Sequence, residues 1–158
     1  EKTGYTGRFL VEPGRYVVAE CGVLLGSVNA TKTNGDRRYA GTDLGFNVLV
    51  RPAMYDSFHD IEIFRDGGEP DTDLVEQSIV GNICESGDIL AKNRQLPLLH
   101  EGDVLGVLDA GAYGFVMSSS YNQRCRAAEI LIQADGSVRL IRRRETLEDL
   151  AACYEGLL

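Results

Sequence analysis

Turn signals at short intervals restrict this chain to short strands. Asn34-Gly35-Asp36 and Ala134-Asp135-Gly136 each separate two runs rich in β-formers, Pro13-Gly14 closes an earlier run, and Glu101-Gly102-Asp103 opens a later one. Val23 to Ala30 and Arg37 to Thr42 flank the first of these turns, and Ala127 to Gln133 with Ser137 to Arg142 make a hairpin around the last. His59 to Phe64 alternates polar and apolar residues, which predicts a half-exposed strand. Gln77 to Ile83 and Val104 to Leu108 add two more, and Arg8 to Val11 reads as a short buried strand. Val17 to Cys21 predicts one or two helical turns, and Pro52 limits the helix before it. Thr146 to Tyr154 predicts an amphipathic helix with Leu147, Leu150 and Ala151 on its inner face. The fold class expected is mainly β with short helices: seven or eight strands in a small β-barrel.

The 158 residues fit a single domain with a substantial core. A net charge of −8 argues against a nucleic-acid backbone or an anionic membrane surface as partner. No apolar run approaches the ~20 residues of a membrane span, and no signal peptide opens the sequence. The four cysteines are widely spaced, with no Cys-x-x-Cys and no nearby histidine pair. That pattern favours reduced thiols in a cytoplasm over disulfides or a metal site. The sequence begins at Glu1 instead of Met, which leaves processing or truncation open.

Four places carry chemistry. Gln77 to Ile83 runs into Cys84-Glu85-Ser86-Gly87-Asp88, a dense set of polar groups that no core requires, because unpaired carboxylates are costly to bury. Its plain structural role is a strand-to-helix turn, with Ser86 or Asp88 capping Ile89 to Lys92. The alternative is chemical: a Cys next to a Glu is also what a site needs if it must donate a proton and hold an ammonium group. Glu12 and Arg15 flank a sharp bend at a strand end, where they form either a surface ion pair or part of a site. Arg51 and Tyr55 share one face at a spacing of four, with Tyr55 otherwise a core residue. Small residues around Tyr113, in Asp109 to Phe115, predict close approach of another backbone or a ligand. Elsewhere, 66–73 reads as a solvated acidic loop, and Arg142-Arg143-Arg144 either solvates a strand end or pairs with neighbouring acids.

Taken in order, Glu12-Pro13-Gly14-Arg15, Arg51-Pro52-Ala53-Met54-Tyr55, Cys84 to Asp88 and Asp109 to Gly114 resemble the diaminopimelate decarboxylase family. Arg142 to Thr146 adds to the likeness, which covers nearly the whole chain. These are fold-type III, pyridoxal-phosphate-dependent decarboxylases, built from an α/β barrel and a C-terminal β-barrel and working as dimers with active sites at the interface. The resemblance implies that residues 1–16 are a remnant of the last strand and loop of the α/β barrel, and that 17–158 form the β-barrel. It also implies that the lysine forming the Schiff base lies outside this sequence, since Lys2, Lys32 and Lys92 do not stand in the matching context. Asn82 and Cys125, where proline is common in the family, and the segment Gly41 to Asn47 depart from the pattern.

The same resemblance assigns roles. Glu12 would sit beside the pyridine nitrogen of pyridoxal 5'-phosphate, with Gly14, Arg15 and Tyr113 also at the cofactor. Arg15 and Tyr113 would contact the substrate as well. Arg51 and Tyr55 would clamp a distal carboxylate and Glu85 a distal ammonium. Cys84 would give a proton to the carbon that loses carbon dioxide; a thiol carries its proton at neutral pH and so can act as an acid. The expected activity is conversion of meso-diaminopimelate to L-lysine, in a homodimer with shared active sites or with a complementing chain that carries the α/β barrel. This chain by itself is expected to be inactive. A paralogue acting on a conjugated or carrier-linked amino acid, and a non-catalytic dimerisation module, are the alternatives.

Overall fold

The computed structural model describes residues 4–154 and 156. Six strands form one sheet: β1 (Leu24–Asn34), β2 (Arg37–Thr42), β3 (Ile61–Phe64), β4 (Leu74–Val80), β5 (Ile89–Pro97) and β6 (Val104–Val107). Their order across the sheet is β3-β6-β1-β2-β4-β5, curled into a half-barrel. A separate two-stranded sheet pairs β7 (Glu129–Ile132) with β8 (Val138–Arg142). Among the described residues there are also three five-residue α-helices, α1 (Gly14–Val18), α2 (Arg51–Tyr55) and α3 (Leu147–Ala151), and three single 3-10 turns at Ala19–Cys21, Phe115–Met117 and Tyr121–Gln123.

The long strand β1 holds the sheet together by changing partner along its length. Its first half, Leu24 to Ser27, pairs with β6; past Val28 it pairs with β2, with a register shift between Val28 and Ala30. Such a shift bends a strand and strengthens its twist, which lets one strand serve both halves of a curled sheet. All ladders are antiparallel except β2 with β4, where Tyr39 faces Ser78 in parallel. The inner face buries Val28, Leu49, Ile79, Leu99, Leu105 and Val107. Side chains bridge the open seam between the edge strands β5 and β3. Arg94 of β5 donates to the Phe58–Asp60 segment, at His59 O (2.9 Å), and its guanidinium lies 3.8 Å from the Phe58 ring centroid.

Several local expectations are corrected. Ile89 to Lys92 begins a strand, not a helix. Asp88 is no helix cap: it is buried, with its carboxylate spent on distant backbone amides. The cluster at the end of β4 therefore does serve the fold in part. Arg8 to Val11 forms no strand among the described residues, and Phe9, Leu10 and Val11 are each more than 80% exposed. Pro52 opens α2 instead of ending a helix before it, because the missing N–H costs nothing in a first turn. The last helix is shorter than expected and Leu147 is exposed, while Thr146 caps it in a reciprocal pair with Asp149. The three arginines at 142–144 behave as expected in part, with Arg142 paired to Glu129 and Arg143 to Asp149.

Candidate active site

A hollow of about 520 Å³ opens where the chain enters the sheet, and Glu12, Gly14, Arg15, Arg51, His59 and Asp109 are among the residues that line it. Its rim is set by main-chain contacts. Gly14 N donates to Glu12 O (2.9 Å), turning the chain into α1. The bend at 109–114 is then drawn against the end of that segment: Ala110 N donates to Gly22 O (2.8 Å) and Gly111 N to Ala19 O (3.0 Å). A side chain at Gly111 would overlap the Val18 carbonyl, so the small residues around Tyr113 are there for backbone approach, as the sequence suggested. The bend presents Tyr113 from left-handed backbone (φ 58°), with Asp109 likewise at φ 57°. The Tyr113 hydroxyl comes within 3.3 Å of where a Cβ on Gly14 would stand.

Arg51 is the buried charge of the site, only 8% exposed at the start of α2. Its Nη2 donates to Ser57 Oγ (3.1 Å), and its guanidinium lies 5.9 Å from the Tyr55 ring centroid and 5.7 Å from that of Tyr113. Among the described residues it forms no ion pair with a carboxylate. Glu12 and Arg15 likewise do not pair with each other among the described residues, which leaves both side chains exposed at the hollow. Tyr55 is more exposed than buried, so it is not the core residue that was its alternative.

Cys84 and Glu85 stand apart from this hollow. They lie exposed on the turn between β4 and β5 and are not among its lining residues. Within the turn, Glu85 N donates to Ile83 O (2.8 Å), Asp88 N to Glu85 O (3.1 Å), and Ser86 Oγ to Glu85 Oε1 (3.2 Å). The structure thus gathers Glu12, Gly14, Arg15 and Arg51 at the hollow, with Tyr113 beside Gly14 and both Tyr55 and Tyr113 near the Arg51 guanidinium, and leaves Cys84 and Glu85 outside it.

His59 and Asp109 at the hollow, and Ser57 on the Arg51 guanidinium, carry no signal of a site in the sequence. Alternation predicts His59 in a half-exposed strand, but it is buried just ahead of β3. Its Nδ1–H donates to Leu108 O (2.8 Å), while its buried Nε2 has no partner among the described residues. No sequence signal marks that burial, because it depends on the meeting of two distant segments.

A pyridoxal group suits what the hollow offers: a carboxylate at Glu12, a guanidinium at Arg15 and a glycine at the entry to α1, with the Tyr113 phenol close beside that glycine. No lysine lines it, since Lys32 lies on β1 and Lys92 on β5, while Lys2 falls outside the described residues.

Residues 15–111 match the family described as pyridoxal-dependent decarboxylase, C-terminal sheet domain. The chain belongs to this family. Among curated decarboxylases, it is 50% identical over 141 residues to diaminopimelate decarboxylase of Methanothermobacter thermautotrophicus, covering 89% of this chain and 32% of that protein. It is 42% identical over 158 residues to diaminopimelate decarboxylase of Escherichia coli K12, covering 94% of this chain and 37% of that one. A crystal structure of diaminopimelate decarboxylase superposes with a TM-score of 0.84 at 42% identity, covering 88% of this chain and 35% of the other. The Helicobacter pylori diaminopimelate decarboxylase complexed with L-lysine gives 0.80 at 36% identity, over 89% of this chain and 34% of the other. The chain spans about a third of the length of these decarboxylase relatives. Among its described residues, no helix is long and apolar enough to cross a membrane.

Proposed function

We propose that this chain is the C-terminal sheet portion of a pyridoxal-phosphate-dependent decarboxylase that converts meso-diaminopimelate to L-lysine and carbon dioxide. The observation that carries this reading is the buried Arg51 guanidinium, which lines the hollow between two tyrosine rings without a carboxylate partner among the described residues. A buried charge left unpaired costs several kcal/mol, so the site is built for an anionic group that arrives with the ligand. Diaminopimelate carries a distal carboxylate for that place, whereas an ornithine-type substrate has none. Relatives named diaminopimelate decarboxylase at 42–50% identity support the same choice.

When bound, pyridoxal phosphate supplies the electron sink for the bond that breaks to carbon dioxide. The chain's own residues divide the remaining work. Glu12 holds a proton on the pyridine nitrogen. Gly14, Arg15 and the Tyr113 hydroxyl serve the phosphate end, and Arg15 and Tyr113 also meet the substrate. Arg51 and Tyr55 grip the distal carboxylate, and Glu85 the distal ammonium. Cys84 gives its proton to the carbon that has lost carbon dioxide.

Cys84 and Glu85 lie off their own chain's hollow, which supports delivery to a partner's site in a homodimer or to a complementing chain carrying the α/β barrel. Phe9, Leu10 and Val11, exposed and outside both sheets, support reading residues 1–16 as the remnant of that barrel's last strand, with 17–158 as the β-barrel domain. The Schiff-base lysine then comes from the barrel, and this chain alone turns nothing over.

The test is carbon dioxide release by the complete enzyme from diaminopimelate and from ornithine. Preference for diaminopimelate is expected; equal use of both would overturn the substrate reading. Mixing the separately impaired Arg51→Ala and Cys84→Ala enzymes tests sharing. Random reassembly makes half the dimers mixed, each with one intact site, so about a quarter of the activity returns. No recovery would sink the shared site.

A further inference from the structure

We infer that Asn82 and Asp88 are positioning residues that hold the Cys84 thiol in place for its proton transfer. This rests on the reading of Cys84 as the proton donor and adds the residues through which the fold aims it. The turn that carries Cys84 is open at its tip, where Ser86 and Gly87 are exposed and a side chain on Gly87 would meet nothing within 4 Å. Its two roots, by contrast, are fastened to one other segment, residues 43–46.

At the first root, Asn82 N donates to Leu44 O (3.0 Å) and Asn82 Nδ2 to Asp43 O (2.7 Å), while Asn82 O accepts from Arg124 Nη2 (3.0 Å). At the second root, Asp88 is only 4% exposed and both its carboxylate oxygens are committed. Oδ1 accepts from Phe46 N (2.6 Å), and Oδ2 from Ile83 N (2.7 Å), the amide immediately before Cys84. The main chain closes the same ring, with Gly81 N donating to Asp88 O (2.9 Å). A Cβ on Gly81 would overlap the Asp88 carboxylate, so the cradle admits no side chain there. Segment 43–46 is itself braced where the Phe46 ring lies 5.1 Å from that of Tyr121.

The chemistry explains why a carboxylate stands at 88. Two amide N–H groups from separate segments require two acceptors on one planar group, and an asparagine has only one. Proton transfer also needs donor and acceptor within hydrogen-bond reach, and a misplacement of about 1 Å can cost on the order of a hundredfold in rate. A turn held only by its tip would not keep a thiol to that tolerance.

The test is a double-mutant cycle in the complete, cofactor-loaded decarboxylase, with kcat at saturating substrate expressed per cofactor-bound site. Asp88→Asn is expected to lower kcat about tenfold or more when Cys84 is present, but less than about twofold in a Cys84→Ala background, because the second residue acts through the first. Asn82→Ala, which removes one side-chain bond, should show the same pattern with a smaller loss and serves if Asp88→Asn folds poorly. Equal losses in both backgrounds would overturn the inference and make the two residues merely structural. No loss from either change while Cys84→Ala is crippled would overturn it too, leaving the role of Cys84 intact. If Cys84→Ala alone keeps kcat within about twofold, it is the donor assignment that fails, and the inference with it.

Discussion

The Arg51 guanidinium stands 5.7 Å from the centroid of the Tyr113 ring, joining α2 to the glycine-rich bend. That spacing is within range of a cation–π contact, which steadies the charge without neutralising it. The site therefore keeps a positive pole ready for a ligand while its owner is buried.

Removing that pole should be felt through the ligand. Each charge-assisted contact is worth roughly 1.5–3 kcal/mol, so Arg51→Ala should cut kcat/KM for diaminopimelate about ten- to a hundredfold. A substrate without the distal carboxylate should suffer much less. Arg51→Lys should rescue only part, since a point charge does not reproduce the planar fork. Equal losses on both substrates would move Arg51 to a role in the fold or at the cofactor.

Gly111 should tolerate no side chain. Its Cβ would overlap the Val18 carbonyl backbone, which cannot swing away as a side-chain tip could. Overpacking of this kind typically costs about 1–3 kcal/mol, and here the bend itself must move. Gly111→Ala should therefore lower the melting temperature and also weaken cofactor binding, read as loss of pyridoxal absorbance on dialysis. A stable variant with full cofactor retention would contradict the close approach.

Acid should weaken the corner before β6. Asp103 is 2% exposed and accepts two bonds from Arg65, at Oδ1 from Nε (2.8 Å) and at Oδ2 from Nη2 (2.9 Å), with His100 N adding a third (2.8 Å). The hydrogen bond from Arg65, chief among these, holds the Asp103 carboxyl below its ordinary range. A depressed carboxyl stabilises the fold fully above its ordinary value and loses that contribution as pH falls through the folded value. Melting temperature should thus drop on acidification below about pH 4, and Asp103→Asn should flatten that drop while lowering stability at neutral pH. Asp103→Ala, which leaves Arg65 with Leu98 O and Asp71 as partners, should lower stability at neutral pH further than Asp103→Asn. Parallel pH curves for the two proteins would rule out this pair as a source of the acid sensitivity.

Arg94 should matter more than a surface arginine. It fastens one sheet edge to the other through His59 O and the Phe58 ring. Arg94→Met keeps most of the stem packing and should still cost about 1–2 kcal/mol in denaturant unfolding, from the lost hydrogen bond and ring contact. A change below about 0.5 kcal/mol, ordinary for surface positions, would mean that the seam holds without it.

What the sequence revealed was governed by local chemistry. Asn34-Gly35-Asp36 placed the β1–β2 turn and Ala134-Asp135-Gly136 the β7–β8 hairpin, because turn geometry is decided by the residues inside it. The motif order from Glu12 to Tyr113 was enough for the family. What it hid depended on contacts between distant segments. Ile89 to Lys92 has acceptable helix formers, yet it is a strand because β4 offers it a ladder, and Asp88 turns its carboxylate to Phe46 and Ile83 instead of capping a helix. His59 looked solvent-facing by alternation and is buried because Leu108 O draws its ring inward. The apolar character of Arg8 to Val11 predicts burial, yet Phe9 meets only the edge of the Tyr5 ring and Leu10 stays largely exposed.

The β7–β8 hairpin shares no ladder with the larger sheet, and Ile130, Leu131, Ile132, Val138, Leu140 and Ile141 on its two strands are all exposed. Two strands alone are marginal in water, so the chain should be a two-speed object. In hydrogen–deuterium exchange, amides of β1 and β6 would open only with global unfolding, while those of β7 and β8 would exchange early. A domain so divided keeps its site scaffold rigid on one side and leaves the other side to be finished by whatever it rests against.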